Sequence, residues 1–506
     1  MKAYLVVFLL GLFLFTFRLL HVPPGIETDE GTIAHNAALI AKTGRDQNGR
    51  FLPVFILSSD KIDWKQPVLI YLSAITFKIF GPSLLTFKLV NVSLSLMTLL
   101  LMGALLKQLF GAKTALVGLL VAVATPMIII ASRLGNEGID PFFFATLWLL
   151  AIVWYRKTAR PRWLALAALA LGIGFYSYKG MRLIVPPWTL LTAGYIYLSR
   201  AKKYISKSVL EFIKQSLKDK QLWRDIAVFG LVLLPFFLVT PILESKYAGS
   251  IFDRTTISWE SYRHYAYFWL ANLDPSFQYT VGDIGKIFSV DRFGMFLLSM
   301  LPFFLMGIKK AMEKLSFFTF ILIAYLFTPS LFGLAGSVGY GHRLIAIIPL
   351  YVIITTLGIQ ATFETLLRFT THAYPVVRVA VKILGVSLAA FSLFSFLDFC
   401  AYYYFYYPTQ NTTHDAFPND LDPAFYKLAH KSKQAHLTPY VQDTIYYSHG
   451  EGIQFFEVAY FNQPLKIWKL GNPLPQGSVL LTQVDQLAEA KDSGIPILPW
   501  HILESN

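Results

Sequence analysis

Charge is scarce in this chain. Of 506 residues only 15% are Asp, Glu, Lys or Arg, where a soluble domain carries roughly a quarter. Hydrophobic residues make up 55%, aromatics 16%, and the mean hydropathy is +0.51. A water-soluble globule is thereby excluded, and a polytopic membrane protein is expected. Cysteine is nearly absent. Cys400 stands alone, so no internal disulfide and no cysteine-rich metal cluster can form. There is no P-loop, no HExxH and no GxSxG. No small-x-small cleavage site follows the apolar run Ala3 to Leu20, which therefore reads as an uncleaved first span. Acidic residues are outnumbered 30 to 44, a net charge of +14. In so apolar a chain this excess points to loops retained on the cytoplasmic side rather than to nucleic acid.

Long apolar runs are what the chain has in their place. About eleven reach the ~20 residues that a bilayer core demands. They lie at roughly 3–20, 83–106, 114–131, 140–155, 163–178, 183–199, 225–243, 291–308, 315–333, 342–360 and 376–400. The loops between them alternate in charge. RKTARPR at 156–162 and RAKKYISK at 200–207 are strongly basic, as are 107–113 and 309–314. The positive-inside rule puts these loops and the amino terminus in the cytoplasm. Residues 21–82, residues 244–290 and the tail then lie outside. The 244–290 segment carries Trp259, Tyr262, Tyr265, Tyr267, Phe268 and Trp269, which suit a helix at headgroup level. It closes on Gly282-Asp283. Polar helices and short apolar runs such as GSVLLTQV (477–484) suggest a small α/β domain in the tail. The expected division is a transmembrane domain over 1–407 and an extracytoplasmic α/β domain over 408–506.

The most informative stretch runs from Glu27 to Tyr71. It reads ETDEGTIAHNAALIAKTGRDQNGRFLPVF and, after a short variable piece, DWKQPVLIY. Thr28 is the expected N-cap of a helix whose first turn carries Asp29 and Glu30. Ile33, Ala37, Ile40 and Ala41 share one face, and Thr43-Gly44 ends the helix. An amphipathic helix on the membrane surface follows, with a carboxylate pair at its start. Adjacent residues point about 100° apart, so only one acid can face a cavity squarely, and Asp29 is expected to be that one.

Ionisable groups at membrane depth are costly and mark function. Here they gather at the external ends of the spans. Lys65 precedes the second span. Arg133, Asn136, Glu137 and Asp140 lie in SRLGNEGIDPFF, Tyr178, Lys179 and Arg182 in YSYKGMR, and His342 and Arg343 in GYGHRLIAIIP. Under the expected topology all converge on one face of the membrane.

The run D-E, a small residue, a helix, T-G-R-D-x-x-G-R-x-x-P and K-x-P-x-x-I-Y-L resembles the first external loop of polyprenyl-phosphate-sugar-dependent glycosyltransferases. These are the GT-C membrane enzymes of glycosyltransferase family 39 and its relatives, among them the protein O-mannosyltransferases and the lipid A aminoarabinose transferase. The likeness extends from Met1 to about Tyr407. It departs at Gly31, where the family more often has alanine, and at Lys65-Gln66-Pro67, where many members have Lys-Pro-Pro. The resemblance implies an all-α polytopic GT-C domain with external amphipathic helices. It also implies an integral membrane hexosyl- or pentosyltransferase. A monosaccharide would pass, with inversion, from a polyprenyl-phosphate donor to an extracytoplasmic acceptor, whether protein, lipid or glycan. Asp29 and Glu30 would be the catalytic acids, with Asp29 taking the acceptor's proton. Lys65, Arg133, Lys179, Arg182 and Arg343 would hold the donor phosphate, and Glu137, Tyr178 and His342 would line the pocket. No cofactor is fixed by the sequence, and a divalent ion at the carboxylates stays open.

Blander roles stand beside these. Asp29 and Glu30 could only cap their helix, Arg133 and Glu137 could clamp a turn, and Asp140 before Pro141 reads as a helix start. Lys179 and Arg182 could be snorkelling boundary residues. Asp420-Leu421-Asp422 is a D-x-D that reads better as a cap, and Asn411-Thr412-Thr413 is a glycosylation sequon. Two other functions compete with the first: a transporter or flippase of lipid-linked sugars, and an inactive lipid-sugar-binding scaffold. A transporter should carry interrupted spans with midplane polar groups in repeated halves. Here the ionisable residues sit at span ends, and the two halves differ.

Overall fold

The computed structural model describes residues 2–58, 61, 63–201, 218–252, 261–283, 285, 287–334, 338–372, 374–410, 417, 421–448, 450–461, 464–469, 471–482 and 497–499. Trp259, Asp420 and the sequon at 411–413 lie outside them. In chain order the helices are α1 (Lys2–Thr16), α2 (Thr28–Thr43), α3 (Pro67–Phe80), α4 (Leu84–Phe110), α5 (Ala112–Val123), α6 (Pro126–Arg133), α7 (Asp140–Thr158), α8 (Arg162–Phe175) and α9 (Met181–Ala201). They continue as α10 (Lys220–Leu238), α11 (Thr240–Lys246), α12 (Tyr262–Leu273), α13 (Leu301–Met312), α14 (Phe317–Leu334), α15 (Ile348–His372) and α16 (Pro375–Ala401). The last three are α17 (Leu421–Gln434), α18 (Asp443–Ser448) and α19 (Gly450–Phe456).

Hydrocarbon offers no partner for a peptide group, so the apolar runs become helices. Among the described residues six helical stretches are long and apolar enough to cross a membrane, or seven if α5 and α6, bent by 58°, count as one span. The chain is a multi-pass membrane protein. The break falls before Pro126, whose ring disfavours helical geometry in the residue ahead of it. The other four expected spans coincide with shorter helices or with α9, which carries Pro186 and Pro187 in its interior. The expected span at 291–308 is corrected most: only Leu301–Met312 is α-helical, preceded by a 3-10 turn at Leu298–Met300.

The chain divides into two compact units. The first holds residues 1–15, 93–132 and 137–400. Its core is aromatic. Trp148 and Trp188 stack at 4.4 Å, and each indole N–H donates to a threonine hydroxyl, Thr192 at 3.0 Å and Thr328 at 2.9 Å. Buried Trp is stable in such a place only with its N–H satisfied. Helix α12 presents Tyr262 and Tyr267 outward, as an interfacial helix should.

The second unit holds residues 16–92, 133–136 and 401–506. The tail does not stand by itself; it folds with the first polar segment. Strands β3 (Thr438–Gln442), β4 (Lys466–Trp468), β5 (Ser478–Thr482) and β6 (Ile497–Pro499) form a parallel sheet in the order β4-β3-β5-β6. Every residue of β5 is buried, as expected of a parallel strand covered on both faces. The α/β character read from GSVLLTQV is borne out. A two-residue antiparallel pair, β1 (Ile56–Leu57) with β2 (Trp64–Lys65), brings Lys65 opposite Ile56.

Helix α2 is packed within its unit. Residues 30–38 and Ile40 are buried, enclosed by α3 and by α19. The sequence had placed residues 21–82 in one external segment with a single helix; the apolar α3 is a second. Gly44 does end α2, in the left-handed region at φ 73°, its N–H donating to Ile40 O.

Candidate functional site

The first turn of α2 is built by acids. Glu27, not Thr28, is the N-cap. Its side chain accepts from Asp29 N at 3.1 Å, and the Glu30 carboxylate accepts from Glu27 N at 2.9 Å, closing a reciprocal box. Glu27 is half-buried. Burial, then the neighbouring Asp29 and Glu30 carboxylates, push its carboxyl up to about 8.

The two adjacent acids take opposite directions. Glu30 is 1% exposed and accepts a second hydrogen bond from Gly135 N. Burial raises its carboxyl, opposed first by the Lys88 ammonium. Glu30 is thereby enclosed within the second unit, holding the backbone N–H groups of Glu27 and Gly135. The Asp29 side chain is 53% exposed. Its carboxylate accepts from Lys65 Nζ, which also donates to Asp63 Oδ2 at 3.0 Å. Lys65 itself is buried, with a 5% exposed side chain. The unit thus presents a solvent-facing carboxylate held by a buried ammonium.

Arg133 was expected at a phosphate. It is fully buried, donates to Val22 O at 2.8 Å and Phe17 O at 2.7 Å, and lies 5.1 Å over the Tyr404 ring. Its guanidinium ties the carbonyls of residues 17 and 22 together. Lys88 is equally buried and donates to Pro23 O at 3.2 Å. Asn136 sits nearby, its carbonyl accepting from Asn91 Nδ2 at 2.8 Å.

The first unit holds the remaining candidates. The 3-10 turn Glu137–Ile139 packs against the 3-10 turn Gly341–Ile347. Tyr178 and His342 meet edge to face at 6.3 Å. His342 Nδ1 lies 3.7 Å from the buried Asp283 carboxylate, which accepts from Gly341 N at 2.7 Å. Arg343 and Lys179 are half-buried, and the Arg343 guanidinium lies 4.6 Å over Tyr340. Arg182 is buried on the carbonyls of Ser250 and Ile251, a loop that Glu244 also holds through Gly249 N and Ile251 N. Asp140 occupies the first turn of α7 but makes no side-chain cap, and neither carboxylate oxygen has a hydrogen-bond partner among the described residues.

Sequence reasoning passed over Glu27, Asp63, Lys88 and Asp283 as members of these clusters. For Lys88 a signal existed, a lone cation inside the apolar run LLTFKLV. Among the described residues no three His, Cys, Asp or Glu gather to hold a metal ion, and Asp29 is taken up by Lys65.

A bundle of apolar helices, an acidic first turn and a small α/β tail define the GT-C membrane fold. Comparison with solved structures bears this out. The chain is similar to ArnT from Cupriavidus metallidurans bound to undecaprenyl phosphate, with TM-score 0.52 and 12% identity over 98% of this chain and 88% of that one. The apo form of ArnT matches at TM-score 0.51 and 14% identity, over 98% of this chain and 89% of that one. An Archaeoglobus fulgidus oligosaccharyltransferase tethered to an NVT-sequon acceptor peptide matches at 0.50 and 11%, over 93% of this chain and 64% of that one. Residues 65–213 match the family model described as dolichyl-phosphate-mannose-protein mannosyltransferase. No curated protein matches. The resemblance read from the first external loop therefore holds on two independent grounds.

Proposed function

We propose that this protein is a glycosyltransferase that moves a monosaccharide from a polyprenyl phosphate to an acceptor hydroxyl outside the cytoplasm, with inversion. One observation carries the reading: in a GT-C fold, the half-exposed Asp29 carboxylate is held by the buried Lys65 ammonium. Asp29 serves as general base. The acceptor oxygen forms its bond to the anomeric carbon as its proton passes to Asp29. The bond from that carbon to the phosphate oxygen breaks, and the lipid phosphate departs with the electron pair. Lys65 orients Asp29 and supplies positive charge. Taken by itself, the first unit carries Lys179 and Arg343, half-buried cations able to bind a phosphate, with His342 beside Asp283 and Tyr178. The amino terminus is cytoplasmic and the tail extracytoplasmic, as the loop charges require. The two ArnT structures, one with undecaprenyl phosphate, support the lipid donor. Mannose is the first sugar to try, given the family description matched by residues 65–213.

The test is direct. Purified protein in lipid nanodiscs is given a panel of polyprenyl-phosphate sugars with peptide, lipid and glycan acceptors. One sugar should appear on an acceptor with inverted anomeric configuration. Passage of label across a proteoliposome membrane without transfer would overturn the reading in favour of transport.

A further inference from the structure

Helix α19 touches the helix that carries Asp29 and the helix that follows Lys65. Gly452 lies against the first turn of α2. A Cβ on Gly31 would sit 2.8 Å from Gly452 N and 3.0 Å from Glu451 C, and a Cβ on Gly452 would meet the Ile26 methyl at 3.2 Å. The α19 backbone therefore seats between Ile26 and Gly31, the residues that bracket Glu27, Asp29 and Glu30. One turn on, the side chains of His35 and Gln454 are hydrogen-bonded. Phe455 stacks on Phe77 of α3 at 5.9 Å and leans on Phe87 of α4 at 6.2 Å. Helix α3 starts at Pro67, two residues after Lys65. Thus α19 grips the helix that carries the carboxylate and the helix that follows the ammonium. Ile26, Phe77, Phe87 and Phe455 belong to one apolar cluster with Ile33, Ala37, Leu421 and Phe425.

We propose that α19, through Gly452 and Phe455, is a positioning element for the transfer reaction, fixing Asp29 against Lys65. This rests on the reading of Asp29 and Lys65 as the reacting pair. It also accounts for Gly31. Only a residue without Cβ lets the α19 backbone approach to this distance, because backbone atoms cannot rotate away as a side chain would. The tail is then a part of the catalytic unit rather than an appended module.

Full-length protein carrying Gly31→Ala, Gly452→Ala or Phe455→Ala is compared with wild type in nanodiscs. Two readings are taken. One is turnover of whichever polyprenyl-phosphate sugar the panel identifies, divided into kcat and donor KM. The other is carbodiimide–glycinamide labelling of Asp29 together with hydrogen exchange over residues 27–34. Gly31→Ala should lower kcat at least tenfold, change donor KM less than threefold, and raise both labelling and exchange at least fivefold. Gly452→Ala, whose Cβ meets only a side-chain methyl, should act in the same direction but less. Phe455→Ala should loosen residues 27–34 in the same way. A merely structural loss would reduce the amount of folded protein and leave kcat per folded molecule and Asp29 labelling as in wild type, which overturns the proposal. If Gly31→Ala does not fold, the same criteria applied to Gly452→Ala decide. Asp29→Asn is run alongside. Wild-type turnover there would remove the base assignment, while the labelling and exchange results still judge the positioning role separately.

Discussion

Asp29 and Glu30 are neighbours in sequence, yet their amide variants should fail in different ways. The Asp29 side chain is 53% exposed, and Lys65 keeps Asp63 at 3.0 Å when Asp29 is neutralised. The acid is half-exposed, Lys65 is buried and Asp63 stays on its ammonium, so Asp29→Asn should cost about 1 kcal/mol of stability, the top of the range for exposed pairs. Loss of a general base removes about 10²- to 10⁴-fold in rate. Glu30→Gln meets the reverse situation. Its carboxylate satisfies Glu27 N and Gly135 N and faces the field of the fully buried Lys88. The amide loses an acceptor and removes the largest negative charge acting on that ammonium, leaving it Asp422. Breaking a buried charge pair costs ~3–5 kcal/mol. Because burial already raises the Glu30 carboxyl, the low end of about 3 kcal/mol is expected. The assay pairs thermal unfolding in detergent with turnover per folded molecule. Asp29→Asn should melt close to wild type and be nearly inactive. Glu30→Gln should melt well below both and, where folded, keep turnover within about tenfold, since only transition-state contacts set kcat. Equal melting temperatures for the two variants, or Asp29→Asn turnover within threefold of wild type, would refute the division of roles.

Other outcomes follow from the same geometry. Lys65→Met should cut kcat about 10²- to 10³-fold, the usual loss for one preorganised charge-stabilising group, and stopped-flow or radiolabel turnover checks it. Arg133→Met should cost about 2–4 kcal/mol, because it withdraws two hydrogen bonds from buried carbonyls of residues 17 and 22, and a melting series reads it. The pH dependence has two limbs. Burial holds the His35 imidazole down to about 4, against hydrogen bonds to Gln47 and Gln454. A depressed folded value means stability that is present above about 6.5 and lost as the pH falls through about 4. It amounts to about 3 kcal/mol, and His35→Gln should flatten the limb. Glu27 is raised to about 8, so its contribution is present below about 4.5 and lost as the pH rises through about 8. Glu27→Gln should remove that alkaline limb in a melting-temperature profile.

Much of the architecture was legible in the chain. Apolar runs must be helical in lipid, so six of the eleven expected spans recur as long helices, or seven if the bent α5–α6 pair counts as one span. The α/β tail showed in GSVLLTQV because a strand buried on both faces is apolar throughout. The acidic turn, the Gly44 stop and Lys65 were visible for local reasons of capping and cost of charge. What the sequence could not decide was direction. Periodicity places residues on faces of a helix but does not say what covers each face. Helix α2 turned out to be enclosed by α3 and α19, so Glu30 went inside and Asp29 outward. Arg133 and Arg182 likewise looked free for a phosphate, and folding spent them on carbonyls of residues 17, 22, 250 and 251. A donor with several N–H groups takes whichever acceptors the tertiary fold brings near it. Those lie far away in the chain, and only packing reveals them.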